Sequence, residues 1–167
     1  GDVTFLEPSH QGQFASLSLG DGVWGTLRLD LSMAPGQGPM NSLLYATMTN
    51  NPTIFVGNTY IPRENGLNQQ PLIVTDGVAP FSDRIDYEYP VRFWGGTGVG
   101  SILGTAYVSF VDVGGDAWSS PVIVGLPFPL LPDPALGQSA TLSVVSADGA
   151  VVLEAVLNTL YLDLSNE

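Results

Sequence analysis

Apolar and polar residues alternate at every second position in two segments, and this most constrains how the chain can fold. Residues 84–94, RIDYEYPVRFW, place five apolar side chains on one face, namely Ile85, Tyr87, Tyr89, Val91 and Phe93. Residues 23–33, VWGTLRLDLSM, repeat the pattern with Leu27, Leu29, Leu31 and Met33. A period of two is typical of a half-buried strand, because successive side chains point to opposite faces. Pro90 has no N–H for a ladder, which predicts a sheet edge or a bulge there.

Nine further segments have strand composition and are separated by turn residues such as Asp148-Gly149. They are residues 3–6, 14–19, 43–49, 53–61, 71–75, 101–113, 121–125, 140–146 and 150–164. The last also contains helix formers, but its β-branched start and the alternating TLYLDL favour one or two strands. We therefore predict one all-β domain over residues 1–167, a two-sheet sandwich with the form of a jelly roll of about 8–10 strands.

The proline-rich segment 126–138, LPFPLLPDPALGQ, favours an extended path with few internal hydrogen bonds. Such a path is either a crossover over the domain or an arm that packs on a neighbouring molecule. For the second case the candidate contact residues are Pro127, Phe128, Pro129 and Pro132.

The excess of acidic residues argues against nucleic acid and anionic membrane surfaces as partners. The chain has 16 acidic residues, only four Lys plus Arg and a formal net charge of −12. Direct binding to nucleic acid needs cationic contacts to phosphate, and anionic membrane surfaces need them too. No apolar run reaches the length of a membrane span, which predicts no membrane insertion, and the start GDVTFLEPSH has no signal-peptide pattern.

The glycine-rich stretch 93–104, FWGGTGVGSILG, invites a phosphate-binding interpretation, but its context argues against one. The third glycine of a dinucleotide fingerprint would fall at Ser101, the chain has no lysine for a Walker loop, and a strand pattern follows instead of a helix. We interpret the stretch as a turn between two long strands. Gly98 and Gly100, with Trp94 beside them, are candidate contacts to another subunit or a ligand, since glycine permits close backbone approach.

Catalytic and metal-binding constellations are sparse. The chain has no cysteine, and His10 is its only histidine, without a nucleophile elbow. Asp86 and Glu88 share one strand face near Asp83, but acid pairs arise by chance in so acidic a chain. For calcium, Asp112 and Asp116 in VDVGGDAW could bend round an ion with help from carbonyl groups. We expect a protein that is not an enzyme and needs no cofactor, with calcium as the one open metal.

Aromatic residues leave a sugar-stacking interpretation open. The candidates for such a platform are six aromatic residues, namely Trp24, Trp94, Trp118, Tyr87, Tyr89 and Tyr107. Tyr87 and Tyr89 share the apolar face of their strand and are more simply core residues. Trp94 and Trp118 border glycine-rich turns, which makes them the better candidates for a surface.

The all-β pattern, the uncharged polar surface, the proline-rich segment and the lack of a catalytic constellation together resemble the single jelly-roll viral coat proteins. The resemblance is closest to the small major capsid proteins of tailless viruses with an internal membrane, and it spans the whole chain through architecture and composition. It implies a virion structural protein that acts through self-association and contact with other coat subunits. The alternative is a carbohydrate-binding sandwich module, secreted or associated with a phage fibre, and therefore extracellular and glycan-binding.

Overall fold

The computed structural model describes residues 1–7, 14–27, 29, 31–39, 41–47, 53–62, 64, 70–77, 82–94, 101–126 and 129–160. Of residues 93, 94, 101, 102 and 125 it describes the backbone alone. Within these ranges the chain forms eleven strands and two short 3₁₀ turns, without an α-helix. None of the described residues belongs to a helix long and apolar enough to cross a membrane.

The strands are numbered in chain order. They are β1 Asp2–Leu6, β2 Val23–Thr26, β3 Gly36–Gln37, β4 Ser42–Tyr45, β5 Thr53–Val56, β6 Thr59–Ile61, β7 Leu72–Thr75, β8 Asp83–Trp94, β9 Ser101–Asp112, β10 Gln138–Ser146 and β11 Val151–Val156. The 3₁₀ turns are Ile123–Gly125 and Pro134–Leu136.

The strands form two antiparallel sheets. The large sheet has the order β1-β11-β10-β9-β8-β7-β4-β3, and the small sheet has the order β2-β5-β6. The longest pairing joins β8 to β9 over twelve residue pairs, from Asp83 opposite Asp112 to Trp94 opposite Ser101. Because β7 to β11 follow one another both along the chain and across the sheet, the centre of the large sheet is a meander.

One apolar core lies between the inner faces of the two sheets. The small sheet contributes residues such as Ile54 and Val56, and the large sheet contributes Val74, Tyr89 and Leu142. These side chains are at most 7 % exposed. The core therefore unites segments from near the start of the chain to β11, as a sandwich requires.

The all-β class and the two-sheet sandwich are confirmed. The long strands on either side of the glycine-rich stretch are confirmed as well, as β8 and β9. The apolar face of β8 is buried at Ile85, Tyr87, Tyr89 and Val91, as its alternation predicts. Eleven strands are described against an expectation of about 8–10, and β7 to β11 of the large sheet follow a meander order.

Pro90 lies in an interior strand, which corrects the prediction of an edge or a bulge. β8 runs through Pro90 opposite Thr105 of β9 without a register shift. On its other side β7 pairs only with residues 84–86, and beyond it the N–H of Glu64 donates to the Pro90 carbonyl oxygen at 2.9 Å. The missing N–H of proline therefore lies beyond the residues of β8 that pair with β7, on a side where none of the described strands pairs with β8.

Several predicted strands are shorter than expected or absent among the described residues. Residues 14–19 form turns, because the Leu17 N–H donates to the Phe14 carbonyl and the Asp21 carboxylate accepts the Ser18 N–H. Such local bonds compete with a ladder. The strand that begins at Val23 ends at Thr26, and residues 31–33 lie in an exposed turn and bend.

Residues 121–125 form a 3₁₀ turn instead of a strand. The Tyr45 hydroxyl accepts the Ile123 N–H at 2.8 Å and donates to the Pro121 carbonyl at 3.0 Å. The Leu126 N–H then donates to the Ile123 carbonyl at 3.2 Å and closes the turn. At the end of the chain β11 is a strand, so the helical alternative for its segment is wrong, and residues 161–164 lie outside the described part.

Two buried carboxylates close the end of the β8–β9 pair. Asp83 and Asp112 face each other in register, and both are 0 % exposed. The Asp83 carboxylate accepts the N–H of Gly77 at 2.8 Å and that of Trp118 at 3.0 Å. It thereby ties the chain before β8 to the chain after β9, because each of these buried N–H groups needs an acceptor.

We expect Asp83→Ala to lower the free energy of unfolding by roughly 2–3 kcal/mol, because two buried N–H groups lose their acceptor. Urea denaturation at neutral pH measures this effect. Glu154→Ala is the matched control, since Glu154 is an exposed acid on β11 and its loss should change stability by less than about 0.5 kcal/mol. Equal stability of the two variants would contradict the assigned role of Asp83.

The pH dependence of this effect follows from the pKa of Asp83. Burial raises that pKa above the usual aspartate value, and the N–H groups of Trp118 and Gly77 offset the rise only in part. A raised pKa means that the folded state holds the proton more tightly, so this contribution is complete below the unfolded pKa and is lost as the pH rises through the folded pKa. The stability difference between the wild type and Asp83→Ala should therefore shrink as the pH rises above about 4, the ordinary pKa of an aspartate. A difference that grows with pH would contradict the sign.

Candidate functional site

Three aromatic residues form a row across the small sheet. Trp24 of β2 lies opposite Phe55 of β5, and Phe55 lies opposite Tyr60 of β6. Their neighbours Ile54, Val56 and Ile61 are buried in the core, which places the row on the outer face. Trp24 is 59 % exposed and Tyr60 is 43 % exposed. We call these three residues the aromatic row.

The rings of the aromatic row stack on one another. The centroids of Trp24 and Phe55 are 4.4 Å apart with an interplanar angle of 12°, and those of Phe55 and Tyr60 are 5.3 Å apart at 42°. The first distance is close to the spacing of neighbouring strands, so the rings stand up from the sheet. Both faces of the Phe55 ring are covered by its neighbours. The row therefore offers ring edges and the outer face of Trp24, and not a flat platform.

Gly25 makes this stacking possible. A side-chain carbon at Gly25 would lie 2.5 Å from the Thr53 carbonyl oxygen and 2.9 Å from a side-chain carbon of Ile54. Both contacts are closer than atoms tolerate, so only glycine lets β2 lie this near to β5. The close approach brings the Trp24 ring onto Phe55.

A groove lies on the outer face of the large sheet. It has a volume of about 280 Å³, and it opens beside the start of β7, where β8 is no longer covered by a neighbouring strand. Tyr107 and Glu88 lie opposite each other in register. The lining includes Gln70, Ile73, Asp86, Glu88, Tyr107 and Ser109.

The groove combines an aromatic ring with hydrogen-bond acceptors. The Asp86 carboxylate accepts from Arg84 Nε at 2.9 Å and from the Ser109 hydroxyl at 2.7 Å, which holds it in place. Glu88 is exposed beside Tyr107, whose side chain is 41 % exposed. Asp86 and Glu88 thus share a face as the sequence predicts, and Asp83 lies apart from them in the interior.

Trp118 is not a surface residue, which corrects its assignment as a contact candidate. It is 8 % exposed, its ring packs on Phe110 at 5.6 Å, and its indole N–H donates to the Thr75 carbonyl at 3.0 Å. The glycine-rich turn before it does not expose it, because Asp83 and Asp112 bind the intervening backbone and draw the ring inward.

The other predicted contact residues are only partly placed. Pro129 is exposed and Pro132 is half-buried, on the stretch that leads to the bridge between Leu130 and Leu160 and to the turn Pro134–Leu136. Trp94 ends β8, but its side chain lies outside the described part. Four further candidates and the lone histidine also lie outside it, namely Gly98, Gly100, Pro127, Phe128 and His10.

The aromatic row was missed because residues 53–61 were interpreted as one strand. They form a hairpin, with Gly57 at a positive φ of 55° and Asn58 beside it in the turn. A Gly-Asn pair between two apolar runs is a hairpin signal. With this turn recognised, Phe55 and Tyr60 become cross-strand partners, so the signal was present in the sequence.

Comparison of the chain with protein-family models, with curated proteins and with solved structures finds no match. Among the described residues, no three or more histidine, cysteine or acidic side chains come together in a way that could hold a metal ion. The candidate functional surfaces are therefore the aromatic row and the groove beside Tyr107.

We expect Trp24→Ala to fold and to lose about 1 kcal/mol of stability, since its mostly exposed ring adds one stacked pair of about 0.5–1.5 kcal/mol. Phe55→Ala should cost more, because that ring is half-buried between two others. Urea denaturation of the monomer at low micromolar concentration measures both losses. A loss above roughly 3 kcal/mol for Trp24→Ala would mean that this ring serves the fold and not a surface.

Proposed function

We propose that this chain is a structural subunit that assembles with copies of itself, as the virion coat proteins it resembles do. The observation that carries the proposal is the aromatic row, three rings in contact on an outer sheet face, with Trp24 stacked on Phe55 and Tyr60 tilted against it. Trp and Tyr are the residues most enriched among those that dominate binding energy at protein interfaces. Their ring faces are largely occupied by one another, which suits an apolar contact better than stacking on a sugar.

The composition of the surface supports self-association. Charged residues make up only 12 % of the chain, about half the usual share. Scattered exposed apolar side chains are normal in soluble proteins, whereas a contiguous group indicates a binding surface. Trp24 and Tyr60 are contiguous through Phe55, and none of the three carries a charge that a partner would have to neutralise.

A second copy of the chain is the partner that the small sheet fits. β2 is an edge strand of its sheet, and Trp24 lies on it. The backbone of Val23 exchanges hydrogen bonds with Gly1, at 2.7 Å and 3.1 Å, but none of the strands in the described part of the chain lies beside Trp24 to Thr26 on that side. Two copies related by a twofold axis would present the same edge and the same ring to each other.

The net charge of −12 affects the solubility and the association of such subunits. Free subunits repel one another and remain soluble, while the uncharged row meets little local repulsion. Salt screens the repulsion and leaves the apolar contact intact, so assembly should strengthen with ionic strength. In a virion the acidic chain suits a shell that does not touch nucleic acid. This function requires no catalytic chemistry.

Light scattering after size-exclusion chromatography tests the proposal over a range of protein and salt concentrations. We expect concentration-dependent oligomers that increase with salt, and a dissociation constant at least tenfold weaker in Trp24→Ala and Tyr60→Ala. Tyr107→Ala is the matched control, since that tyrosine is similarly exposed on the other sheet and should leave association unchanged. A strict monomer at high protein and salt concentration would overturn the proposal.

The groove beside Tyr107 supports the alternative of a carbohydrate-binding module. An aromatic ring next to carboxylate and amide groups can stack on the C–H face of a sugar and accept hydrogen bonds from its hydroxyls. Nuclear magnetic resonance titration with a panel of soluble oligosaccharides tests this function. Saturable binding that Tyr107→Ala abolishes and Tyr60→Ala preserves, in a protein that stays monomeric, would favour the module over the coat subunit.

A further inference from the structure

The turn after β9 is arranged around one carboxylate oxygen of Asp112. Its Oδ2 accepts the N–H of Asp116 and of Ala117, each at 3.0 Å. The carboxylate thereby folds the chain back on itself immediately after the strand. Because Asp112 is 0 % exposed, every polar atom of its side chain needs a partner inside the protein.

The other oxygen of Asp112 has no such partner. Oδ1 is buried and receives no hydrogen bond from any of the described residues. Asp83 lies opposite with its own buried carboxylate, so two acidic groups share this end of the β8–β9 pair. The described arginines are engaged elsewhere, Arg84 with Asp86 and Arg92 with Glu64. The site therefore has two acidic groups, no described arginine beside them and one unused acceptor.

The unused oxygen lies beside the position that a side chain of Gly114 would take. A side-chain carbon built on Gly114 would lie 3.6 Å from Asp112 Oδ1 and 3.2 Å from Asp116 Oδ1. Two carboxylate oxygens therefore lie within 3.6 Å of one point, a space that glycine leaves without a side-chain atom. Asp116 is exposed, so an ion from solvent can reach the space.

We propose that this space binds a divalent cation of the calcium class, with Asp112 Oδ1 and Asp116 Oδ1 as its two carboxylate ligands. Calcium takes six to eight oxygen ligands in flexible geometry, and carbonyl groups of the turn and water complete the set. Zinc does not fit, because it prefers nitrogen and sulfur ligands, and the chain has no cysteine.

The number of carboxylate ligands also determines how tightly the site binds calcium. Two carboxylates are fewer than in sites with dissociation constants near the micromolar range, so we expect binding between about 0.1 and 1 mM. The bound ion would hold Asp116 and Asp112 together and fix the turn that places Trp118 on Phe110. Calcium binding therefore stabilises this end of the large sheet, independently of any assembly through the aromatic row.

Thermal unfolding and isothermal calorimetry with calcium chloride test the site, on the 167-residue chain first dialysed against a chelator. We expect a melting temperature that rises and saturates in the millimolar range, and a weaker rise with magnesium chloride at the same ionic strength. Asp116→Asn should weaken calcium binding at least tenfold while the protein still folds, because Asp116 is exposed. Gly114→Ala, which fills the space, should have the same effect.

Glu154→Gln is the matched control, since it removes one exposed acid from another part of the large sheet. It should retain the calcium response in full. A response no larger than that of sodium chloride at matched ionic strength would overturn the proposal. So would an unchanged response in Asp116→Asn, because the ion would then bind elsewhere. Loss of the response in Glu154→Gln as well would assign the effect to net charge and would also overturn the site.

Discussion

The pairing of β8 with β9 is the interaction on which the rest of the structure depends. Twelve residue pairs run without a register shift from Asp83 opposite Asp112 to Trp94 opposite Ser101. Because both strands have a period of two, every second side chain points into the core. Among these side chains, Tyr89, Val91 and Phe110 are at most 1 % exposed. An uninterrupted register matters because a slip of one residue would turn these side chains outward.

The unequal lengths of the neighbouring strands create the surfaces of the molecule. β7 covers only a short part of β8, and the groove beside Tyr107 lies where that cover ends. The small sheet meets the same core from the other side through Ile54 and Ile61, so its outer face is left to the aromatic row. Both candidate binding surfaces therefore follow from how far each strand extends over its neighbour.

Buried acids organise the end of the long strand pair in a chain without lysine. Backbone N–H groups stabilise these buried carboxylates in place of cationic side chains, since Asp83 and Asp112 each accept hydrogen bonds from two of them. This solution satisfies three of the four carboxylate oxygens and leaves Asp112 Oδ1 without a donor among the described residues. The remaining oxygen makes this turn the place where an acidic protein gains most from an added cation.

Alternation in the sequence by itself determined the all-β class, the long strand β8 and the burial of Tyr87 and Tyr89, because period-two burial is a local property. It did not determine where shorter strands stop. That depended on single hydrogen bonds from distant residues, such as the bond of the Tyr45 hydroxyl to the backbone of Ile123. Sequence patterns do not report such bonds.

The tertiary structure alone decided which functional candidates reach the surface. Trp118 borders a glycine-rich turn, yet the buried Asp83 draws its backbone inward and its ring packs in the core. Strand pairing brings the rings of Trp24, Phe55 and Tyr60 into contact, although these residues are not neighbours in the chain. The physical reason is the same in both cases. Exposure and contact are set by long-range pairing, whereas a sequence pattern reports only the side to which each residue of one strand points.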